Sequence, residues 1–473
     1  MLDQWKQGAL RVPALPAGRR LRSRAAPLLL LLSLLAVPAG PALANPLETF
    51  GFGSRWVAMG GAVTALVDDV ASIYYNPAGL IHATSVQLMA GYFYADQHLV
   101  VNGYDIQEDS VSGLVAGFAL PPFQLGPIKM GGGAAIHVPD KRVARTLAIP
   151  YDQPTWVRYG ARNQRMVVMT PFSFEIFPWL SVGATVSMFM RTSGGPDFVL
   201  REDRPENRGL WSEGSISTSQ RPSFFPTAGV QVRPLDWLSF GFCYRGKNEV
   251  LYKVPMKVHI EPLYIFPDNS LFPLLGESLI DMNQHVYSFF APEEFSLGFG
   301  FDVGEVLKVG LDLTLSRWGA LKQPAPEGAT YYSGGIAQLV PPNPNYPLPP
   351  PGYSDILTPA IGAELKALSF AFWELFVRAG YRYRPNPAPV PSGWNNFLDN
   401  ETHIFSGGIG VQFLHLKEKL KVLNGPVRID LHGQYTWLVE ETSLEVNPVG
   451  DAFGDLAYRG SVFNGGVTLL VSF

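Results

Sequence analysis

The residue types that usually carry chemistry are present in this chain, but their spacing does not bring them together. Eight histidines lie at positions 82, 98, 137, 259, 285, 403, 415 and 432, and none has the helical or paired spacing of a zinc motif. Cys243 is the only cysteine, so there is neither a thiol pair nor an intramolecular disulfide. No Gly-x-Ser-x-Gly elbow, phosphate loop or dinucleotide fingerprint is present. The expectation is a chain that is not an enzyme and needs no cofactor or metal; a barrel hydrolase with serine and histidine on one strand face is the remaining enzymatic alternative. The chemistry left is that of charge and of turns. Asp68 and Asp69 open a short helical run that Asn76-Pro77-Ala78 stops. Proline disfavours the α region for the residue before it, so Asn76 is expected to be extended. Arg191, Arg245 and Lys247 share one face of two strands, where they could hold a carboxylate headgroup or form structural ion pairs with acids in an enclosed space.

The elements that would position these residues are long alternating strands. In Pro426–Glu440, Val427, Ile429, Leu431, Tyr435, Trp437 and Val439 fall on one face, and Arg428, Asp430, His432, Gln434, Thr436 and Glu440 on the other. Leu307–Trp318, Ser181–Arg191 and Trp373–Tyr383 repeat the pattern. Strands of a soluble sandwich are about 5–6 residues; these are nearer the length of tilted membrane strands. About 14 strands are expected, at 85–99, 111–120, 127–138, 165–176, 180–192, 223–234, 237–252, 291–303, 306–318, 357–369, 373–384, 402–416, 427–440 and 457–473. Connections after even strands are short. Those after odd strands are long, at 139–164, 193–222, 253–290, 319–356 and 385–401. Short turns on one side and long loops on the other are the pattern of an outer-membrane barrel, with 417–426 a moderate exception.

Composition agrees. Charged residues make up 16% of the chain, against about 25% in globular proteins. Part of the surface must therefore meet something other than water, and there is no basic patch for nucleic acid. The first 44 residues read as a signal peptide: Lys6, Arg11, Arg19, Arg20, Arg22 and Arg24, an apolar run from Pro27 to Val37, and a small-x-small site at Ala42-Leu43-Ala44. That run is too short for the roughly 20 residues a spanning helix needs. An exported, low-charge, aromatic-rich chain without a spanning helix leaves a barrel as the membrane option.

The stretch Asp68-Asp69, short helix, Asn76-Pro77-Ala78 resembles the N-terminal plug of the FadL family, outer-membrane barrels that carry long-chain fatty acids and other hydrophobic compounds. Later blocks are similar to that family in order and spacing: Pro292–Gly298, Leu311-Asp312-Leu313 with Arg317-Trp318, Pro359–Leu365, Val377–Tyr383 and His403–Gly410. The terminal strand, with Phe463, Val467, Leu469, Val471 and Phe473 on one face, resembles the assembly signal of bacterial outer-membrane barrels. The resemblance implies an all-β antiparallel barrel (85–473) around a luminal plug of short helices (45–84). It also implies a multi-pass location in the bacterial outer membrane and passive, plug-gated transport.

Candidate working parts follow. Gly131-Gly132-Gly133 lies inside the third strand, where glycine weakens pairing. The resemblance implies that this strand kinks to let ligand leave sideways; the alternative is glycine packed beneath the plug. The loop 253–290 is unusually apolar, with Leu263, Phe266, Phe272 and Leu275 among the residues that could capture ligand or fold on themselves. Arg317 falls on the lipid side near a strand end, where it would snorkel. Expected partners are hydrophobic small molecules and outer-membrane lipid, with the barrel acting as a monomer. A non-transporting adhesin, receptor or assembly partner is the alternative function.

Overall fold

The computed structural model describes residues 47–126, 128–140, 154–159, 166–202, 210–261, 277–321, 327–338, 352–391, 397–414, 425–443 and 455–473. The proposed signal segment 1–44 lies outside the described residues. Fourteen antiparallel strands form one closed barrel: β1 (Gln87–Val101), β2 (Val111–Leu125), β3 (Ile128–Pro139), β4 (Val167–Phe177), β5 (Leu180–Glu202), β6 (Leu210–Leu235), β7 (Leu238–Arg245), β8 (Glu294–Val303), β9 (Leu307–Ser316), β10 (Ile356–Ser369), β11 (Trp373–Arg384), β12 (Thr402–Phe413), β13 (Val427–Ser443) and β14 (Leu456–Ser472). Each pairs with the next in sequence, and β1 closes on β14 from Gln87 opposite Ser472 to Val101 opposite Tyr458. Closure removes the open edges that no bilayer would tolerate.

The alternation read from the sequence has a definite sense. On β13, Ile429, Leu431, Tyr435 and Trp437 are exposed, while Asp430, Gln434 and Thr436 are buried. On β9, Leu311 and Leu313 face out and Asp312 is buried; on β11, Val377 faces out and Arg378 is buried. Apolar residues outside and charges inside invert the rule for soluble proteins and suit a barrel standing in lipid. Phe177, Trp179, Trp237, Phe370 and Phe372 are exposed at the short-turn end, as an interfacial aromatic girdle is.

Three segments expected to be loops are partly strand. β5 and β6 run on to 23 and 26 residues, through most of 193–222. Within 253–290, the strand Asn248–Ile260 pairs with Ser278–Ala291 as a hairpin, and within 319–356 the strand Glu327–Gly334 pairs with Ser278–His285. The reason lies at the rim. Pairing of β4 with β5 ends at Val167 opposite Phe189, so the upper part of β5 has a bare edge. Residues Lys257–Ile260 fold over and occupy it in parallel with Asp197–Leu200. An unpaired edge is a liability, and the hairpin covers it.

Inside the barrel lie α1 (Leu47–Phe50), α2 (Ser54–Ala58), α3 (Ser72–Tyr75) and a 3-10 turn, Pro77–His82. Helices of four or five residues are not stable alone in water. They hold here because nearly every side chain from Phe52 to Ile81 is buried against the wall. Gly60 and Gly61 turn the chain with φ of 66° and 72°, a region other residues rarely adopt.

Candidate functional site: a plug seated on one side of a barrel

The seat begins with glycine. Gly300, Gly310, Gly362 and Gly380 stand opposite one another across β8, β9, β10 and β11, one unbroken row on the inner wall. A Cβ on Gly310 would strike the Ala62 carbonyl, one on Gly362 the Met59 carbonyl, and one on Gly380 the Gly60 amide. The row therefore exists so that plug backbone can lie directly on strand backbone. Gly183 on β5 and Gly229 on β6 do the same for Pro77 and Asn76.

Charge fixes what glycine admits. Arg55 of α2 donates from Nε and Nη2 to both carboxylate oxygens of Glu364 on β10, at 2.9 and 2.8 Å, and from Nη1 to Asp68 at 2.9 Å. Arg378 on β11 joins Glu364 to Asp430 on β13. Arg428 on β13 donates to Asp430 at 2.8 Å and to Asp69 of the plug at 2.7 Å. The other oxygen of Asp69 accepts from the Trp56 indole at 2.8 Å and the Ala71 amide at 2.9 Å. Burial works to raise the Asp68 carboxyl, but Arg55, Lys308, Arg233 and Arg428 together hold it below the usual carboxylate range. Removing one member of such a buried set typically costs about 3–5 kcal/mol, because its partners stay buried and uncompensated.

Further polar bonds rivet the plug around the same arc. Asp312 on β9 accepts from the Val63 amide, the Thr64 amide and the Thr64 hydroxyl at 3.1, 3.0 and 2.6 Å. Arg382 on β11 donates to the Gly60 carbonyl. On β14, Asn464 donates to the Phe50 carbonyl at 3.1 Å, and the Thr468 hydroxyl meets the Ser54 hydroxyl at 3.0 Å. On β5 and β6, Thr185 donates to the Ile73 carbonyl and Gln231 to that of Val67. Asn76 is extended, with φ −157° and ψ 103°, and fully buried. Its amide donates to the Thr64 carbonyl and to Val230 of β6, and its oxygen caps the following turn at Ala78.

From β1 to β4 the contact is of another kind. Among the described residues, the hydrogen bonds that Phe50–His82 makes to barrel strands go to β5–β14. Against β1–β4 the plug presents an apolar surface, with Val70 on Gly117, Ile81 beside Gly131, and Phe50 beside Phe93 at 6.0 Å between ring centroids. The wall is interrupted here as well. β3 pairs with β4 at Gly131 and Gly132, and again from Ala135 to His137, but not at Gly133 and Ala134. Opposite that gap is Pro171, which has no amide hydrogen to give. On the other flank, Pro121-Pro122 shifts the β2–β3 register between Leu120 and Phe123. A small cavity beside the gap is lined by Leu47, Ile73, Val167, Met169 and Phe225 together with Glu48, Tyr74, Ser187, Thr227 and Arg245.

The structure thus brings Asp68 and Asp69 into the charge set and seats Asn76, Pro77 and Ala78 on β5 and β6. Gly131, Gly132 and Gly133 lie at the gap. Arg245, at the end of β7, is buried, donating to Glu294 at 2.9 Å and to the Tyr74 carbonyl at 3.1 Å. Lys247 pairs with Glu249 at 3.0 Å. Arg191 lies on β5 opposite Arg221, but its side chain is outside the described residues, as are Leu263, Phe266, Phe272 and Leu275. Arg317 is half-exposed and pairs with Glu293 at 3.3 Å and Asp355 at 3.6 Å. Among the described residues no cluster of three potential ligands could hold a metal ion. The sequence reading missed Arg55, Glu364, Arg378 and the glycine row as a unit. Alternation had placed the strand members on the inner face, but the pairing spans more than 300 residues, as between Arg55 and Glu364.

No family model matches the chain. Over 468 residues it is 23% identical to alkane uptake protein A of Marinobacter nauticus, covering 92% of this chain and 93% of that one. Among solved structures it is similar to a Pseudomonas aeruginosa FadL homologue (14% identity, TM-score 0.52, 89% of this chain and 97% of the other). It is also similar to the toluene transporter TodX of Pseudomonas putida (16% identity, TM-score 0.51, 90% and 99%). These likenesses agree with the plug and barrel described above: the chain has the FadL-like fold, a fourteen-stranded barrel closed around an N-terminal plug.

Proposed function

We propose that this barrel stands in the bacterial outer membrane as a monomer and passively takes up hydrophobic molecules, neutral hydrocarbons ahead of long-chain fatty acids. The observation that carries the reading is the gap in the β3–β4 ladder, set against the apolar face that the plug presents to β1–β4 through Phe50, Val70 and Ile81. A ligand on that face is next to the interruption in the wall, and Gly131, Gly132 and Gly133 form the lateral opening through which it leaves. Asp68, Asp69, Asn76, Pro77 and Ala78 form the plug that blocks the straight route. The preference for a neutral ligand rests on three luminal arginines beside the plug and above it. Arg245 is paired with Glu294, Arg382 with the Gly60 carbonyl and Arg384 with both oxygens of Asp399, so a carboxylate headgroup would have to displace an existing partner. The names of the relatives, alkane uptake and toluene transport, support the same class.

The test is mass spectrometry of small molecules that co-purify with the detergent-solubilised barrel, before and after Asn76→Ala, followed by competition between added hexadecane and palmitate. Bound hydrocarbon, with an altered load in the variant, is the expected result. Preferential retention of palmitate would return the fatty acid to first place. A barrel that takes up neither would favour a receptor or adhesin, a role to which the sheet above the rim, with Ile216 and Tyr331 largely exposed, is suited.

A further inference from the structure

At the outer mouth of the barrel lies a second apolar cluster, separate from the one around the plug: Phe290, Trp318, Leu321, Tyr353, Ile356 and Phe397, all buried. Register brings its centre together. Ser316 of β9 stands opposite Ile356 of β10 in the last pair of their ladder, so Trp318 and Tyr353 lie just beyond neighbouring strand ends. The Gly319 amide donates to Asp355 at 2.9 Å and the Ser354 amide to the Pro387 carbonyl at 2.9 Å, which fixes the two turns. The Trp318 and Tyr353 rings stack at 6.0 Å between centroids, and Phe290 lies 5.7 Å from the indole. Among the described residues, the Trp318 indole nitrogen and the Tyr353 hydroxyl are buried with no hydrogen-bond partner. The side chains packed in the cluster around them are hydrocarbon.

We propose that this aromatic box is an entry subsite for a neutral hydrocarbon chain carrying one acceptor oxygen, as in a long-chain ketone, ester or alcohol, and that the oxygen accepts from Trp318 and Tyr353. The inference rests on the uptake reading above and narrows its ligand. An unpaired buried donor destabilises a fold, and folded proteins keep few of them. An indole N–H can only donate. Burial, with the Asp399 charge, pushes the Tyr353 phenol well above its ordinary value, so it keeps its proton and donates too. The missing group is therefore an acceptor. A bare alkane would fill the box and leave both donors unpaired, and a carboxylate would approach the charge of Asp399. Position and cover suit entry. Ser316 and Thr358, next along the same two strands, line the luminal cavity above the plug. Phe290 sits at the end of the hairpin strand Ser278–Ala291, and Phe397 is held by a two-residue parallel ladder to Thr155-Trp156. Both covers belong to connections rather than to barrel strands, so a ligand can part them without breaking the wall.

The test compares radiolabelled 2-hexadecanone, which accepts a hydrogen bond but cannot donate one, with hexadecane. Binding is measured on the detergent-solubilised barrel and uptake in cells. Trp318→Phe and Tyr353→Phe each remove one donor and keep a ring in place. The unmodified barrel should hold the ketone more tightly than the alkane. Each variant should lose about threefold to tenfold in affinity for the ketone, with hexadecane binding and the melting temperature not lowered. Equal loss for the two ligands would assign both residues to packing and overturn the proposal. So would an unmodified barrel that binds the ketone no better than the alkane. Tyr353→Phe removes a single oxygen and decides the matter alone if the Trp318 variant fails to insert. A barrel that inserts normally and takes up neither molecule defeats the uptake reading itself, before any variant is made; uptake of hexadecane without preference for the ketone defeats the subsite only.

Discussion

The two sides of this barrel hold the same plug by opposite means. On β5–β14 the wall offers glycine with polar and ionised side chains, so that the plug is fixed by directional bonds. On β1–β4 it offers packing, which is non-directional and is exchanged readily for contact with an apolar ligand. The strands follow the same division, with a continuous ladder from β8 to β9 and on to β10 and an interrupted one between β3 and β4. The contrast teaches that a bonded seat and a packed face can be specified in one closed sheet by deciding, strand by strand, whether the inward residue is a charge, a glycine or a hydrocarbon.

The comparison can be broken most severely at Glu364. Glu364→Gln leaves Arg55 and Arg378 without their shared carboxylate, and about 3–5 kcal/mol of plug seating is expected to be lost. Single-channel conductance in planar bilayers should then rise, with ions leaking past a loosened plug; an ion-tight variant would contradict this seating. Gly362→Val drives a side chain into the Met59 carbonyl and should cost about 1–3 kcal/mol or more. The same conductance measurement should show a smaller leak, with β-sheet content unchanged by circular dichroism.

A milder effect should appear with pH at the foot of the plug. Burial, and then the Arg233 charge, push the His82 imidazole down to about 4, from an ordinary 6.5. A depressed value means the neutral form is favoured in the fold. Its contribution is whole above pH 6.5 and is lost as pH falls towards 4. The protection factors of amides 78–83, taken after correction for the intrinsic pH dependence of exchange, should therefore fall between pH 7 and pH 5, and His82→Gln should remove that dependence. The smallest effect is expected outside the division altogether. Arg317→Ala removes half-exposed ion pairs with Glu293 and Asp355 and should change the melting temperature by less than the equivalent of about 1 kcal/mol.

The barrel was legible because a strand's faces alternate with period two whatever lies across from it. Asp312, Arg378 and Asp430 could be placed on the inner face from their own strands. What they bond to could not, since a strand's sequence carries no record of a partner such as Arg55, which precedes the first strand. Gly310 and Gly362 were visible as inward glycines, but the row exists only once register sets them side by side. The sheet above the rim was missed for a related reason. Asn248–Ile260 alternates like a membrane strand, yet its partner edge on β5 exists only because β4 ends early. Asn76 was read correctly as extended because the cause, Pro77, is its neighbour.

The central claim is that a hydrophobic ligand leaves sideways between β3 and β4. The most direct measurement is hexadecane uptake by a barrel carrying Ala134→Cys and Thr170→Cys, a pair that staples the two strands across the unpaired stretch of their ladder. Uptake at background when oxidised, restored by dithiothreitol, is the predicted result. Uptake at the unmodified rate with the staple closed would contradict the account and send the ligand by another route.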